Sequence, residues 1–259
     1  MARVFVTGSS DGLGRMAARL LVERGHRVVL HARHAARGRD AMAAVPGAEG
    51  VLCADLSVLA EMRALAERAN DTGAFDAVIH NAAVGYREKR RMVTADGFAH
   101  VFAVNTLAPY VLTALMRPPK RLVYVSSELH RRGDATLRDL NWEERDWRGN
   151  QAYSDTKLHD VLLAFAVARR WPGVRANATE PGWVATKMSP RATGDLDRAH
   201  RTQVWLAVDD GDGPDGSGGY FFHERRKAPS GAAANPAIQD RLLAECGRLT
   251  GVWLPELPR

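Results

Sequence analysis

The sequence has few cysteines and no long apolar run. Two cysteines, Cys53 and Cys246, occur in 259 residues, which excludes a disulfide framework and predicts a reducing, cytoplasmic compartment. No run of about 18 or more apolar residues is present, which excludes a transmembrane helix. The first residues enter a predicted strand directly, and they lack the basic head and apolar middle of a signal peptide, so none is expected.

Acidic residues are outnumbered by basic ones, 30 to 36, and the formal net charge is +6. A basic balance can indicate a nucleic-acid partner. The arginines are scattered, however, and no module of alternating aromatic and basic residues occurs, so we expect no nucleic acid. The densest basic clusters, 131–132 and 223–227, are expected on a solvated surface with a modest preference for anionic ligands.

One stretch, 209–219, has a biased composition of aspartate and glycine. This composition resembles a calcium-binding loop, but no glutamate follows at the spacing that such a loop needs. The stretch therefore predicts a flexible loop, and no metal site is expected.

Short β-rich runs alternate with helical patterns. Seven strands are predicted, at 3–7, 26–31, 50–54, 75–80, 121–126, 174–180 and 218–222, with Cys53 in the core. Helices are predicted at 12–24, 36–44, 57–70, 97–116, 152–170 and 236–249. The alternation predicts right-handed crossovers and one α/β domain over residues 1–259, a doubly wound parallel seven-stranded sheet with helices on both faces.

A glycine-rich turn joins the first strand to the first helix. Glycines there permit a tight turn and let backbone N–H groups approach a phosphate, and the helix N-terminus adds partial positive charge. An ordinary βα loop is the alternative, but the position at the first βα turn favours a nucleotide. The candidate cofactor-binding residues of the turn are Gly8, Ser9, Ser10, Gly12, Leu13 and Gly14.

The end of the second strand indicates which dinucleotide binds. NAD sites place an acidic residue there, and NADP sites often offer an arginine. This chain has no acid there and has Arg33, with Arg37 and Arg39 nearby. Arg33 is either a surface residue or a ligand of the 2′-phosphate, and we favour NADP(H) over NAD(H).

Two further strand ends carry polar residues. Asp55 either caps the next helix or holds the adenine amino group, and both can be true. Asn81 either forms a plain turn or packs the backbone against the cofactor.

Tyr153 and Lys157 lie four residues apart in a predicted helix, so they share one face. A neighbouring ammonium lowers the pKa of a phenol, which suits a reaction that moves a proton together with a hydride. The Tyr–Lys spacing alone is a weak signal, and it becomes specific for such a reaction because the glycine turn precedes it in the chain.

Seven motifs, in order, resemble those of the short-chain dehydrogenase/reductase family. They are the glycine turn with Thr7, the pair Asp55 and Leu56, the run His80 to Ala83, then Asn105, Ser127, the pair Tyr153 and Lys157, and the turn Pro181 to Thr186. The resemblance spans residues 3–250 and implies a Rossmann fold. Segments 126–130, 139–142, 218–222 and 248–251 most resemble its retinol dehydrogenase-like and WW-domain oxidoreductase-like branch.

The resemblance implies hydride exchange between a nicotinamide and a carbonyl or an alcohol. Tyr153 would donate the proton, Lys157 would lower the Tyr153 pKa and hold the ribose, and Ser127 would bind the substrate oxygen. Asn105 would hold a water that links Lys157 to solvent, and Thr186 would fix the carboxamide. The remaining implied cofactor contacts are Leu56, Asn81, Ala82, Ala83, Pro181, Gly182 and Val184.

The chain departs from the family pattern in three places. Ala83 replaces a usual glycine, which narrows the space beside the cofactor. Segment 106–120 is short where the family commonly forms its dimer, so a monomer or weak homodimer is expected. A short polar segment predicts a small lid, around 187–205, or an open pocket.

Alternatives stay open at this point. Ser126 is a rival for the role of Ser127, and Asn105 and Lys157 have ordinary structural interpretations. A non-catalytic NADP-binding regulator is the main alternative function, and a sugar-nucleotide epimerase or dehydratase is another. The expected substrate is a small, lipophilic carbonyl or alcohol, and four residues either line its pocket or pack the lid: Trp142, Trp147, Trp183 and Met188.

Overall fold

A computed structural model of the protein describes residues 1–208 and 216–257. Its strands are β1 Arg3–Val6, β2 Arg27–Ala32, β3 Gly50–Cys53, β4 Ala77–His80, β5 Arg121–Val125, β6 Arg175–Thr179, β7 Tyr220–Phe222 and β8 Arg225–Lys227. Its helices are α1 Gly12–Glu23, α2 Ala35–Ala44, α3 Leu59–Asp71, α4 His100–Phe102, α5 Ala108–Leu115, α6 Gly149–Arg170, α7 Leu196–Ala199, α8 Arg201–Val208 and α9 Pro236–Thr250. Most of the predicted flexible loop, 209–215, lies outside the described residues.

The strands form one sheet in the order β3-β2-β1-β4-β5-β6-β7-β8. All neighbouring pairs are parallel except β7 and β8, which are antiparallel. The predicted α/β Rossmann fold is therefore confirmed, with one correction. The predicted number of seven strands is wrong, because the chain turns back at His223 and Glu224 and adds β8 as an eighth, edge strand.

Helices cover both faces because successive strand residues point to opposite sides. Val4 and Val6 pack with α1, α2 and α8, whereas Phe5 between them packs with α3, α5 and α6. Two apolar layers thus enclose the sheet. Among the described residues, no helix is both long enough and apolar enough to span a membrane.

Two local predictions need correction. The helix predicted at 97–116 begins at His100 and is interrupted by a π-helical turn, Ala103–Leu107, before α5. A π turn adds a residue to one helical turn, which a continuous apolar pattern does not reveal. Cys53 is half-buried instead of lying in the core, because β3 is the edge strand.

The chain order creates the site. After β1 the strands run outward to β2 and β3, and β4 then returns to the other side of β1. Connections leave the sheet in opposite directions at this switch point, so a crevice opens beyond the carboxyl ends of β1 and β4.

Candidate active site

A cleft of about 1020 Å³ opens over the switch point. Most of the predicted site residues line it: Gly8, Ser10, Gly12, Leu13, Arg33, Asp55, Leu56, Asn81, Ala82, Ala83, Ser127, Tyr153, Lys157, Pro181, Gly182, Val184 and Thr186. Ser9, Gly14 and Asn105 do not line the cleft and are buried behind the residues that do. Residues that are distant in sequence thus meet in one elongated space.

The glycine turn is built for close approach. Gly8 and Gly12 have φ values of 62° and 51°, in the left-handed region that favours glycine. A Cβ on Gly14 would lie 2.4 Å from Asn81 Nδ2, so this glycine permits α1 to pack against the end of β4. A Cβ on Gly12 would meet nothing within 4 Å, so open space lies beside the turn. A dinucleotide pyrophosphate fits this cradle.

His31, at the end of β2, holds the glycine turn through a hydrogen bond, and the sequence did not indicate this role. Its Nδ1 accepts the Gly8 N–H at 3.0 Å, and its Nε2 lies 3.0 Å from the Ala54 carbonyl oxygen. Burial lowers the pKa of His31 to about 4, so the ring is neutral and its Nε2–H donates. The available signal was a polar ring in an otherwise apolar strand.

The cleft margin beside β2 and β3 carries charges of both signs. Arg33 Nε lies 3.8 Å from Asp55 Oδ2, while Asp55 Oδ1 accepts the N–H and the hydroxyl of Ser57 at 2.9 and 2.7 Å. Burial raises the Asp55 pKa, but the Ser57 donors and Arg33 outweigh it and hold the pKa below its usual range. Asp55 therefore caps the turn before α3 and remains an ionised acceptor at the cleft.

A second arginine joins this margin. Arg37 Nη2 lies 3.5 Å from Ser10 Oγ and 3.6 Å from Asp11 Oδ2. Asp11 also binds Lys187, whose hydrogen bond is the largest cause of a lowered Asp11 pKa. Two guanidinium groups and a serine hydroxyl therefore flank the end of β2, an arrangement suited to a phosphate.

The end of β4 is fastened to the glycine turn. Asn81 Nδ2 donates to the Thr7 carbonyl oxygen at 3.0 Å, and the N–H groups of Asn81 and Ala82 both donate to Thr7 Oγ1 at 3.0 Å. Asn81 and Ala82 thus form the wall of the cleft through their backbone.

Tyr153 and Lys157 lie on the cleft face of α6, with Lys157 Nζ 5.5 Å from the centre of the tyrosine ring. Ser127, after β5, lies beside Tyr153 and acts to lower its pKa, while Ser127 Oγ accepts the Leu129 N–H at 3.3 Å. Burial raises the Tyr153 pKa, and Lys157 opposes this shift without reversing it. The lysine effect expected from the sequence is present, but the net direction is upward because the phenol is buried.

Ser126 and Ser127 differ in what their hydroxyls do. Ser126 Oγ donates to the Lys157 carbonyl oxygen at 2.7 Å, so its proton is already used within the protein. Ser127 Oγ instead accepts the Leu129 N–H at 3.3 Å, which leaves its O–H free to donate into the cleft that Ser127 lines. This geometry favours Ser127 as the group that meets a substrate oxygen.

Asn105 lies in the π turn and spans two elements. Its Oδ1 accepts the Val84 N–H at 2.8 Å, and its Nδ2 lies 3.0 Å from the Val84 carbonyl oxygen and 3.1 Å from Thr156 Oγ1. Both polar atoms of its side chain thus have protein partners. Asn105 ties the segment after β4 to α6, one residue before Lys157.

The aromatic residues of the insert and the lid divide into two groups. Trp142 is buried against Trp147 and under the Arg145 guanidinium, so it packs the insert. Trp183 and Met188 line the cleft instead.

Comparisons with known proteins agree with this geometry. The family model described as enoyl-(acyl carrier protein) reductase matches residues 8–208. An uncharacterised oxidoreductase of Emericella nidulans is 48% identical, with 98% of this chain and 99% of the relative covered. Human retinol dehydrogenase 13 is 30% identical, with 98% of this chain and 86% of the relative covered.

A solved structure of an uncharacterised protein from Mycobacterium paratuberculosis has a TM-score of 0.85 and 29% identity, and covers 98% of this chain and 95% of that one. The motifs, the cleft and the relatives lead to one assignment. The chain belongs to the short-chain dehydrogenase/reductase family, in its retinol dehydrogenase-like branch, and is an NAD(P)-dependent oxidoreductase.

Proposed function

We propose that the protein uses NADP(H) to interconvert a lipophilic carbonyl compound and its alcohol. The observation that carries the proposal is the meeting of Tyr153, Lys157 and Ser127 in one cleft, whose margin at β2 carries Arg33 and Arg37. We further propose that residues 1–259 form one cytoplasmic domain, with a lid around 187–205.

The bound cofactor supplies or accepts the hydride. In the reductive direction, Tyr153 holds a proton at its hydroxyl and releases it to the carbonyl oxygen. Ser127 donates a hydrogen bond to the same oxygen and stabilises the charge that develops there. Lys157 favours the tyrosinate that remains, and one of its N–H groups is available to a ribose hydroxyl. Thr186 and the backbone of Pro181 to Val184, which line the cleft, would hold the nicotinamide end of the cofactor.

The preference for NADP(H) follows from charge. Arg33 and Arg37 offer planar donors to a 2′-phosphate, and Ser10 adds a hydroxyl at 3.5 Å from Arg37. Asp55 lies after β3, where the adenine edge would sit, and its ionised carboxylate would accept a hydrogen bond from the adenine amino group. No acidic residue occupies the end of β2, the position where a ribose 2′-hydroxyl would be read.

The lipophilic substrate class is supported by the apolar residues beside Tyr153. Val84, Leu129 and Met188 pack against the cluster that contains this tyrosine. The retinol dehydrogenase among the relatives is named for a lipophilic alcohol, which agrees with such a pocket.

The test is NADPH oxidation with a panel of lipophilic aldehydes and ketones, with polar sugars as a comparison. We expect turnover with the lipophilic compounds, and its loss in Tyr153→Phe while NADPH binding, followed by cofactor fluorescence, stays close to wild type. NADPH binding without any turnover would favour the regulator. Near wild-type turnover in Tyr153→Phe would disprove the proposed proton donor.

A further inference from the structure

The ammonium of Lys157 forms a buried ion pair with Asp160, one helical turn further along α6. Asp160 Oδ2 lies 2.8 Å from Lys157 Nζ, and the two side chains are only 4% and 3% exposed. Lys157 Nζ also donates to the Val125 carbonyl oxygen at 2.9 Å. Because an ammonium has three N–H groups, the pair leaves one for the cleft.

The ion pair offsets the free-energy cost of burying an ammonium and a carboxylate. A buried ammonium without a partner tends to lose its proton, and a buried carboxylate without a partner tends to gain one. Burial would lower the Lys157 pKa, but Asp160 and Tyr153 outweigh it and hold the pKa above its usual range. Burial raises the Asp160 pKa to about 6 against the pull of Lys157. Near neutral pH both groups are thus charged.

Few other ionisable groups face Asp160. Lys157 and Tyr153 share its helix, and Tyr124 approaches from β5 with its pKa raised by burial and by Asp160. The Tyr124 hydroxyl is bonded to Thr113 of α5, which also contacts His80 of β4. Burial lowers the pKa of His80 to about 3, so this ring is neutral. Among these described groups, Lys157 is therefore the cation that Asp160 meets.

We propose that Asp160 is a positioning residue of the active site, which holds the Lys157 ammonium and offsets its charge so that Tyr153 keeps its proton. Asp160 would touch neither substrate nor cofactor and would act through Lys157. The inference rests on the proposed function, because it presumes that Tyr153 is the proton donor. Its consequence is a tyrosine that remains ready for carbonyl reduction up to a more alkaline pH.

The test is the titration of Tyr153 in Asp160→Asn. The amide keeps the size of the side chain and can still accept from Lys157, but it no longer offsets the ammonium charge. We expect Tyr153 to titrate about one pH unit lower than in the wild type, because the Asp160 charge raises the Tyr153 pKa and the variant removes that charge. Nuclear magnetic resonance of Cζ-labelled tyrosine in the cofactor-free protein reports this directly, with Tyr153→Phe identifying the signal.

A second readout is the pH profile of kcat/KM for carbonyl reduction. The pH at which kcat/KM falls on the alkaline side should be lower in Asp160→Asn by the same amount, because reduction needs the protonated phenol. If Asp160 had a purely structural role, its replacement would lower kcat/KM at every pH and leave the pH of the alkaline fall unchanged. A Tyr153 titration that is unchanged or moves to higher pH in a folded variant would overturn the inference.

Asp155→Asn is the matched control. Asp155 is another buried acid of α6, but it binds Gln151, Arg145 and the Asp134 N–H and does not contact Lys157. Its replacement should leave the Tyr153 titration unchanged. If Asp160→Asn does not fold, Asp160→Ser removes the same charge and leaves room for water beside the ammonium.

The two proposals fail in different ways. If the wild type turned over no carbonyl compound, the proposed function would fail while the resonance titration could still be carried out. If the wild type is active and Tyr153 titrates alike in wild type and Asp160→Asn, only the role of Asp160 is disproved.

Discussion

Tyr86 and Ser189 join the two sides of the cleft mouth through a hydrogen bond of 2.7 Å between their hydroxyl oxygens. Tyr86 follows β4, and Ser189 follows β6, so the contact bridges more than 100 residues of sequence. The Tyr86 ring also packs edge-on against the Tyr153 ring, with 5.7 Å between their centres. The cover of the cleft and the proposed proton donor are therefore in direct contact.

Tyr86→Phe should raise KM for the carbonyl substrate several-fold and leave kcat little changed. The phenyl ring keeps its packing against Tyr153, but the bond that holds the segment around Ser189 over the substrate is lost. Steady-state kinetics at saturating NADPH measure the effect. Ser189→Ala should behave alike, and the double variant should be no worse than either single one. Additive effects would show that the two hydroxyls act separately.

Arg33→Asp should reverse the cofactor preference from NADPH toward NADH. The guanidinium contact with a phosphate is charge-assisted, and a carboxylate at the same position would repel the phosphate and accept a ribose hydroxyl instead. The ratio of kcat/KM for the two cofactors is the measurement. Arg39→Asp is the control, since Arg39 is exposed on α2 and does not line the cleft. An equal ratio in Arg33→Asp and wild type would remove Arg33 from the phosphate site.

The order of β1 to β7 and of most helices could be predicted because apolar runs and glycine turns leave local signals, but α7 and α8 were not predicted. β8 gave no such signal. Its residues, Arg225–Lys227, are all basic, and the turn before it places His223 and Glu224 at φ values of 48° and 62° without a glycine. Pairing with β7, not local preference, makes this segment a strand.

The catalytic candidates could likewise be named from their order, but their partners could not. His31 and Asp160 act through contacts across the fold or within a buried environment that a sequence pattern does not show. Asn105 illustrates the opposite case. Its position was found from the sequence, yet its side-chain partners, Val84 and Thr156, depend on where a π turn occurs.

Acid should destabilise the protein through its buried histidines. Burial lowers the pKa values of His80 and His159 to about 3 and that of His31 to about 4, so these rings are neutral in the folded state. The unfolded chain binds their protons below about pH 6.5. The contribution of these neutral rings to the free energy of unfolding is therefore fully present above that pH, and it is lost as the pH falls toward 3 to 4. Asp160 has the opposite effect between about pH 6 and 4, because its raised pKa lets the folded state bind one proton before the unfolded chain does.

The prediction is tested by the pH dependence of the free energy of unfolding in His159→Gln. Between pH 6 and 4.5 its slope should be smaller than that of wild type by about 1.4 kcal/mol per pH unit, the value for one proton. Denaturant titrations at several pH values give the slope, which is read independently of any general loss of stability. An unchanged slope in His159→Gln would contradict the neutral state of the buried ring.

The face that the family commonly uses to form dimers is covered by this chain itself. α5 has only eight residues, and Ala108 to Ala114 are all buried. The C-terminal segment, 252–257, lies against this region, where Tyr110 Oη donates to the Val252 carbonyl oxygen at 2.7 Å and Trp171 Nε1 donates to the Pro255 carbonyl oxygen at 2.8 Å.

We therefore predict a monomer or a weak homodimer. A stable interface buries about 1,200 Å² or more, and the covered face of α5 leaves little apolar surface for it. Sedimentation velocity at micromolar concentration should give the mass of one chain, and a single tetrameric species would contradict the prediction. A variant that ends at Gly251 uncovers the face around Tyr110 and Trp171, and it should self-associate more strongly than the full chain. Equal behaviour of the two proteins would mean that the C-terminal segment does not keep partners away.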